Sequence, residues 1–80
     1  MLILLASNNK HMLLRWEQGL FGLFPTAVVH SFQPLTERLG KLRPDILLLD
    51  YALPGLKNQQ SINELINLAM ETKIVIFSSG

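Results

Sequence analysis

Polar residues follow three apolar segments of this chain, and they are its best candidates for chemistry. The segment DILLL delivers one carboxylate, Asp50, to the start of a loop that contains a Pro-Gly pair. A carboxylate can act as a nucleophile, and one buried at the end of a strand costs free energy unless it is paired or hydrogen-bonded. Ser7 and Asn8 follow the segment LILLA, and Ser78 and Ser79 follow KIVIF. Asp50 is therefore the first candidate; the alternative is an acid that caps a turn or pairs with a lysine.

Composition limits the chain to one small domain and excludes several classes of protein. Its 80 residues are close to the size at which burial becomes marginal for independent stability. The sequence is 49% hydrophobic and 16% charged with a net charge of +1, and it lacks a basic patch for nucleic acid. It has no cysteine, which excludes disulfides and is compatible with a reducing cytoplasm. The opening MLILLA has no charged n-region and is far shorter than the ~20 residues of a membrane span, so we interpret it as a strand.

Hydrophobic patterning predicts alternating strands and helices. Apolar or β-branched runs predict strands over 2–6, 26–30, 45–49 and 73–77, of which the third is the most hydrophobic and should be central. Helical spacing predicts helices over about 9–23, from Pro34 to Leu42, and from Ser61, where the sequence SINE has the form of a capping box. The apolar residues expected to pack in these helices are Met12, Leu13, Trp16, Leu20, Phe21 and Leu23, then Leu35, Leu39 and Leu42, then Ile62, Leu65, Ile66 and Ala69. This order predicts an α/β fold with a doubly wound parallel sheet and helices on both faces.

The carboxyl ends of the predicted strands define the edge at which a ligand would bind. In such sheets, ligands lie outside these ends, at the point where the strand order reverses. Because Asn8, Asp50 and Ser78 follow or end three of the strands, we expect their side chains to converge there. His11 and His30 lack a metal-ligand pattern and are interpreted as solvent-facing or hydrogen-bonded residues.

Three motifs, in order and at the right spacing, resemble a known family. LILLASNN, PDILLLDYALPG and KIVIFSS resemble the first, third and fourth strands of bacterial response-regulator receiver domains, in particular those of LuxR/NarL-like regulators. The family pattern after the phosphoacceptor is Asp-x-x-Met-Pro-Gly, and this chain has DYALPG from Asp50 to Gly55. The resemblance implies a flavodoxin-like sheet with the order 2-1-3-4. It also implies that residues 1–80 are a single, incomplete domain covering about two-thirds of a receiver, truncated after the fourth strand.

The resemblance also implies roles for the polar residues. Asp50 would accept the phosphoryl group and Ser78 would donate a hydrogen bond to it, while two acids after the first strand would help to bind Mg²⁺. Here Ser7 and Asn8 replace those acids. Asn8 and Asp50, with Ser7 as a lesser candidate, would therefore hold Mg²⁺ weakly or not at all, and the acidic pocket is degenerate.

Two functions with this fold, and one from another class, follow from these observations. The first is a non-enzymatic receiver domain of a cytoplasmic transcriptional regulator, addressed by a sensor histidine kinase and reaching DNA only through an output domain absent from this chain. The second is a pseudo-receiver that acts through protein contacts. The third is a small flavodoxin-like protein that binds a phosphate-bearing ligand at residues 7–9, although no glycine follows the first strand. We also expect a homo-oligomer that covers an apolar, open fourth strand.

Overall fold

The computed structural model describes residues 1–19 and 23–78 and contains alternating strands and helices. The strands are β1 (Ile3–Ala6), β2 (Thr26–Val29), β3 (Ile46–Asp50) and β4 (Lys73–Phe77), and the helices are α1 (Lys10–Gln18), α2 (Phe32–Leu42) and α3 (Gln59–Leu68). None of these helices, within the described ranges, is long and apolar enough to cross a membrane. The predicted order of elements is confirmed.

The strands form a parallel sheet in the order β2-β1-β3-β4, as predicted. Strand β3 lies between β1 and β4, and its residues Leu47, Leu48 and Leu49 are fully buried. A strand covered on both faces must be apolar at every position, which explains the unbroken run of leucines. The prediction that the third strand is central is therefore confirmed.

The two faces of the sheet bury different clusters because successive side chains alternate along each strand. On one face, Leu47 and Leu49 pack in the cluster that contains Leu35 and Leu39 of α2 and Leu65 of α3. On the opposite face, α1 contributes Trp16, which packs with Ile3, Leu5 and Leu48. Trp16 also contacts Phe77 of β4, with ring centroids 5.2 Å apart. The helices thus cover both faces of the sheet, as the sequence predicts.

Helix α1 is shorter than the sequence predicts. The helix is capped by Asn9, whose Oδ1 accepts hydrogen bonds from the amides of His11 and Met12. The helix ends at Gln18 and is capped by Gly19, whose amide donates to Arg15 O. Glycine has a low helix propensity, which explains the early end. Leu23 is exposed rather than packed, and the predictions for Leu20 and Phe21 lie outside the described residues.

The other boundaries differ from the predictions by one to two residues. Helix α2 begins at Phe32, two residues before Pro34, because proline is tolerated in a first turn that needs no amide donor. Helix α3 begins at Gln59 instead of Ser61, and the predicted capping box is wrong: Asn58 is the cap, and its Oδ1 accepts from the Ser61 amide. Strand β2 ends before His30 and β3 is shifted to include Asp50.

One residue expected to be buried in α3 is exposed. Ile66 has 49% of its surface accessible, whereas Ile62, Leu65 and Ala69 are buried as predicted. Ile66 lines a cleft with Met70 on the β4 side of α3. The described helices and strands leave this side of α3 uncovered.

Candidate functional site at the carboxyl edge of the sheet

The carboxyl ends of the strands bring Ser7 and Asp50 into direct contact. Asp50 is the last residue of β3 and is 2% exposed, and Ser7, the residue after β1, is fully buried. Because β1 and β3 are neighbours in the sheet, with Ala6 in register with Leu49, Ser7 lies beside Asp50. The Ser7 hydroxyl donates a hydrogen bond of 2.8 Å to Asp50 Oδ2.

Both oxygens of the Asp50 carboxylate are hydrogen-bonded. While Ser7 donates to Oδ2, the amide of Ala52 donates to Oδ1 at 2.9 Å. Within the described ranges, no buried side-chain nitrogen or oxygen lacks a hydrogen-bond partner. Burial of this acid is therefore offset by two neutral donors, one from each side of the carboxylate.

Ser7 connects Asp50 to two further elements. Its hydroxyl oxygen accepts from the Asn9 amide at 2.9 Å, which places it against the first turn of α1. Its backbone amide donates to Val29 O, and its backbone carbonyl lies 3.1 Å from Nδ1 of His30. Since a carbonyl oxygen can only accept, this contact requires a proton on Nδ1 of His30. The network therefore spans the ends of β2, β1 and β3, and the interpretation of His30 as a hydrogen-bonded residue agrees with it.

The other two predicted site residues lie at the same edge but at its surface. Asn8 follows Ser7 and is exposed. Ser78 follows Phe77, the register partner of Asp50, and is also exposed. In the part of the chain that the structure describes, neither side chain is hydrogen-bonded to Asp50. The structure thus brings Asp50 into contact with Ser7, which the sequence analysis gives only as a lesser candidate for the magnesium site.

The donor set around Asp50 does not fit a typical magnesium site. Mg²⁺ prefers an octahedral shell of oxygen ligands, usually one or two carboxylates together with waters. Residues 1–19 and 23–78 contain no group of three or more His, Cys, Asp or Glu residues that could hold a metal ion. Among the described residues that form this hydrogen-bonded network, Asp50 is the one carboxylate, and the Ser7 hydroxyl donates to its Oδ2. The neighbouring Asn8 contributes an amide without charge.

The loop after Asp50 is fixed by the start of α2. Leu53 is buried in the core, and its amide donates to Asp50 O. The amide of Phe32 donates to Pro54 O at 2.8 Å. Gly55 has φ +90°, and a Cβ atom built there would lie 2.8 Å from Cβ of Phe32. The Pro-Gly pair thus allows a close approach that a larger residue would prevent.

Two clefts lie elsewhere, at the amino edge of the sheet and beside α3. One, of about 390 Å³, is lined by residues that include Pro44 and Asp45 before β3 and Thr72 before β4. The other, of about 520 Å³, includes Ile66 and Met70. Asp50 lines neither of these two clefts.

Comparison with known proteins identifies the fold. No family model and no curated protein matches the sequence. Among solved structures, the chain resembles the signal receiver domain of a LuxO repressor protein from Vibrio parahaemolyticus, with a TM-score of 0.81 and 15% identity. It also resembles the response regulator domain of CheB from Thermotoga maritima, with a TM-score of 0.75 and 17% identity. This chain has the receiver fold.

The match extends over 99% of this chain but only part of each neighbour. The chain spans 62% of the length of the first receiver structure and 60% of the second. Asp50 ends the third strand of this receiver fold, at the carboxyl edge of the sheet. At 15–17% identity the likeness establishes the fold, and the chemistry must be argued from the residues themselves.

Proposed function

We propose that this chain is a receiver domain of a bacterial two-component signalling protein, with Asp50 as the nominal phosphoacceptor. The observation that carries this proposal is the position of Asp50, a buried carboxylate on the last residue of the central strand in a receiver fold. The loop after it, anchored through Leu53 and Pro54, supports the same assignment. Ser78, one residue beyond the register partner of Asp50, would be the phosphoryl hydrogen-bond donor.

The setting of such a domain follows from this proposal. Its partner would be a sensor histidine kinase in the bacterial cytoplasm, and its role would be signalling rather than catalysis of a metabolic reaction. Residues 1–80 would form one incomplete receiver, since they span about three-fifths of the matched chains. DNA would be reached through an output domain of a transcriptional regulator that these residues do not include.

A second candidate is a pseudo-receiver that signals through protein contacts. The observation in its favour is the hydrogen bond from Ser7 to Asp50, which occupies the carboxylate with a neutral partner. In this reading Asp50 is retained because it holds the ends of β1 and β3 together. Magnesium at Asn8 and Asp50 would be bound weakly or not at all.

Phosphorylation by a small donor separates the two candidates. The chain would be incubated with an acyl phosphate and Mg²⁺, and intact mass would be measured for the wild type and for Asp50→Asn. A mass increase of one phosphoryl group that Asp50→Asn abolishes would support the phosphoacceptor. An unmodified wild type, under conditions that phosphorylate a known receiver in the same tube, would support the pseudo-receiver.

We also propose that the chain forms a homo-oligomer. Within the described residues, β4 is an edge strand, and Ile76 on it is 46% exposed. Ile66 and Met70 of the adjoining α3 region are exposed as well. A second copy of this chain can cover all three residues, because pairing of two β4 strands about a two-fold axis places the same surface of each copy in the interface.

A further inference from the structure

The partner of the Asp50 carboxylate is a hydroxyl group of the chain itself. We infer that the Ser7 hydroxyl takes the place that a divalent cation would have at Asp50, so that this edge of the sheet assembles without metal. This inference rests on the proposed function in one respect: it assumes that Asp50 occupies the position of the receiver phosphoacceptor. Ser7 is then a positioning residue, because it acts through Asp50.

The geometry gives Ser7 little freedom to do anything else. A serine hydroxyl has one proton and two lone pairs. The Asn9 amide uses one lone pair at 2.9 Å, and the proton is donated to Asp50 Oδ2 at 2.8 Å. Since Ser7 is fully buried, a rotated hydroxyl could not recover these bonds from solvent.

A cation on the Ser7 side of Asp50 Oδ2 would have to break this arrangement. It would compete with the Ser7 proton for the same oxygen, and the displaced proton would need another acceptor inside the pocket. Asn8 and Ser7, the neutral residues after β1, supply no charge to offset that cost. The same bond that satisfies the buried carboxylate therefore opposes a cation on the Ser7 side of Oδ2, and the neutral residues after β1 supply no charge to attract one elsewhere at Asp50.

The network also links separate elements at this edge of the sheet. Asn9 caps α1 with its side chain and donates its amide to Ser7, which holds Asp50. Asp50 in turn accepts from the amide of Ala52 in the loop before α3. The start of α1 and the β3–α3 loop are thus joined through Ser7 and Asp50, in an arrangement made of the chain's own groups.

A double-mutant cycle tests the coupling. Ser7→Ala, Asp50→Ala and the double variant would be unfolded in urea, with the fluorescence of the single tryptophan, Trp16, as the signal. We expect each single change to lower the equilibrium constant for folding at least tenfold. In the double variant, we expect the fold-decrease to be at least tenfold smaller than the product of the two single fold-decreases. Ser31→Ala is the matched control, since the Ser31 side chain makes no capping hydrogen bond at α2. Effects that simply multiply would overturn the inference.

Magnesium tests the other half of the inference, that this edge of the sheet assembles without metal. We expect 10 mM Mg²⁺, compared with a chelator, to leave the urea midpoint of the wild type unchanged. If Ser7→Ala does not fold, hydrogen exchange of the Asn9 and Ala52 amides in the wild type replaces the cycle. Protection of both amides, the same with and without Mg²⁺, is the expected result, and unprotected amides would contradict the inference.

The outcomes for this inference and for the proposed function can be told apart. Stabilisation of the wild type by Mg²⁺ together with Mg²⁺-dependent phosphorylation of Asp50 would support the receiver function and overturn the metal-free pocket. Absence of phosphorylation together with strong Ser7–Asp50 coupling would support the metal-free pocket and count against the phosphoacceptor role.

Discussion

At the residue scale, the chemistry of the Asp50 pocket depends on the charge of the residues after β1. Two unit charges ~4 Å apart interact by about 4 kcal/mol at an effective dielectric constant near 20. We therefore predict that Ser7→Asp with Asn8→Asp raises the affinity of the chain for Mg²⁺ far more than tenfold, because Ser7→Asp puts a carboxylate beside Asp50 and Asn8→Asp adds a second one at the exposed position next to it. Isothermal titration would measure this, with the same double change in an Asp50→Asn background as the control. An unchanged affinity would show that charge is not the missing element.

Gly55 is the second residue whose type is dictated by its surroundings. We predict that Gly55→Ala destabilises the fold by more than about 1 kcal/mol, because alanine is strained at φ +90° and its Cβ would meet Cβ of Phe32 at 2.8 Å. Gly40 lies in α2, and an added Cβ would meet no atom within 4 Å apart from its chain neighbours and the nearby backbone of its own helix, so Gly40→Ala should stabilise by about 0.5–1 kcal/mol. Urea unfolding of both variants would measure these opposite changes in the free energy of unfolding. Destabilisation of both variants would show that α2 does not accommodate a Cβ atom at residue 40.

The pairing of Ser7 with Asp50 could be predicted only in part. The apolar runs place both residues at carboxyl ends of strands, which follows from the sequence. Which of these residues contact each other depends on the register between neighbouring strands. It also depends on whether a side chain just beyond the strand is buried or exposed. Ser7 is buried while Asn8 is exposed, and the alternation of β1 does not predict this difference, because β1 is buried on both faces. The contact of His30 with Ser7 has no sequence signal at all.

At the scale of elements, strand and helix identities could be predicted but helix starts could not. Both Asn58 and Ser61 are good capping residues, and the sequence after Ser61 has the form of a capping box. The structure uses Asn58, because a helix that begins at Gln59 still buries Ile62 and Leu65 and gains a further half turn. Capping signals within one turn of each other therefore compete, and packing of the apolar face does not decide between them.

Substitution at the two capping candidates would show which one is used. We predict that Asn58→Ala destabilises the chain by about 0.5–2 kcal/mol, because the Ser61 amide loses its acceptor. Ser61→Ala should change stability by less than about 0.5 kcal/mol, since the Ser61 hydroxyl is only a distant donor at 3.5 Å. Thermal unfolding followed by circular dichroism would rank the two. A larger loss at Ser61 would place the working cap there instead.

At the scale of the whole molecule, the fold is determined by patterns that repeat along the chain. Four apolar strands separated by amphipathic helices permit few topologies other than a parallel sheet with right-handed crossovers. The extreme hydrophobicity of the LILLA and DILLL runs marks both strands as internal, whereas the order β2-β1-β3-β4 is predicted from the resemblance to receiver domains. Exposure of Ile66 could not be read from helical spacing, because it depends on which elements lie beside α3.

The exposed surface around β4 leads to a prediction about assembly. Antiparallel pairing of two β4 strands about Val75 would place Lys73 of one copy opposite Phe77 of the other, so that the two lysines are kept apart. The same pairing would bring Ile76 and the exposed Ile66 of both copies toward one interface. We therefore expect the 9.0 kDa chain to run at about twice its mass in light scattering coupled to gel filtration.

A charge placed in this surface should prevent the assembly. Ile76 is 46% exposed, so Ile76→Lys costs little in the folded monomer but would put two lysines into one apolar interface. We expect this variant to be a folded monomer at concentrations where the wild type is dimeric. Leu14→Lys, at a residue 50% exposed on α1, which covers the opposite face of the sheet from α3, is the matched control and should leave the dimer intact. A wild type that is monomeric at micromolar concentration, with β4 amides that exchange freely, would show that the apolar edge is tolerated in water.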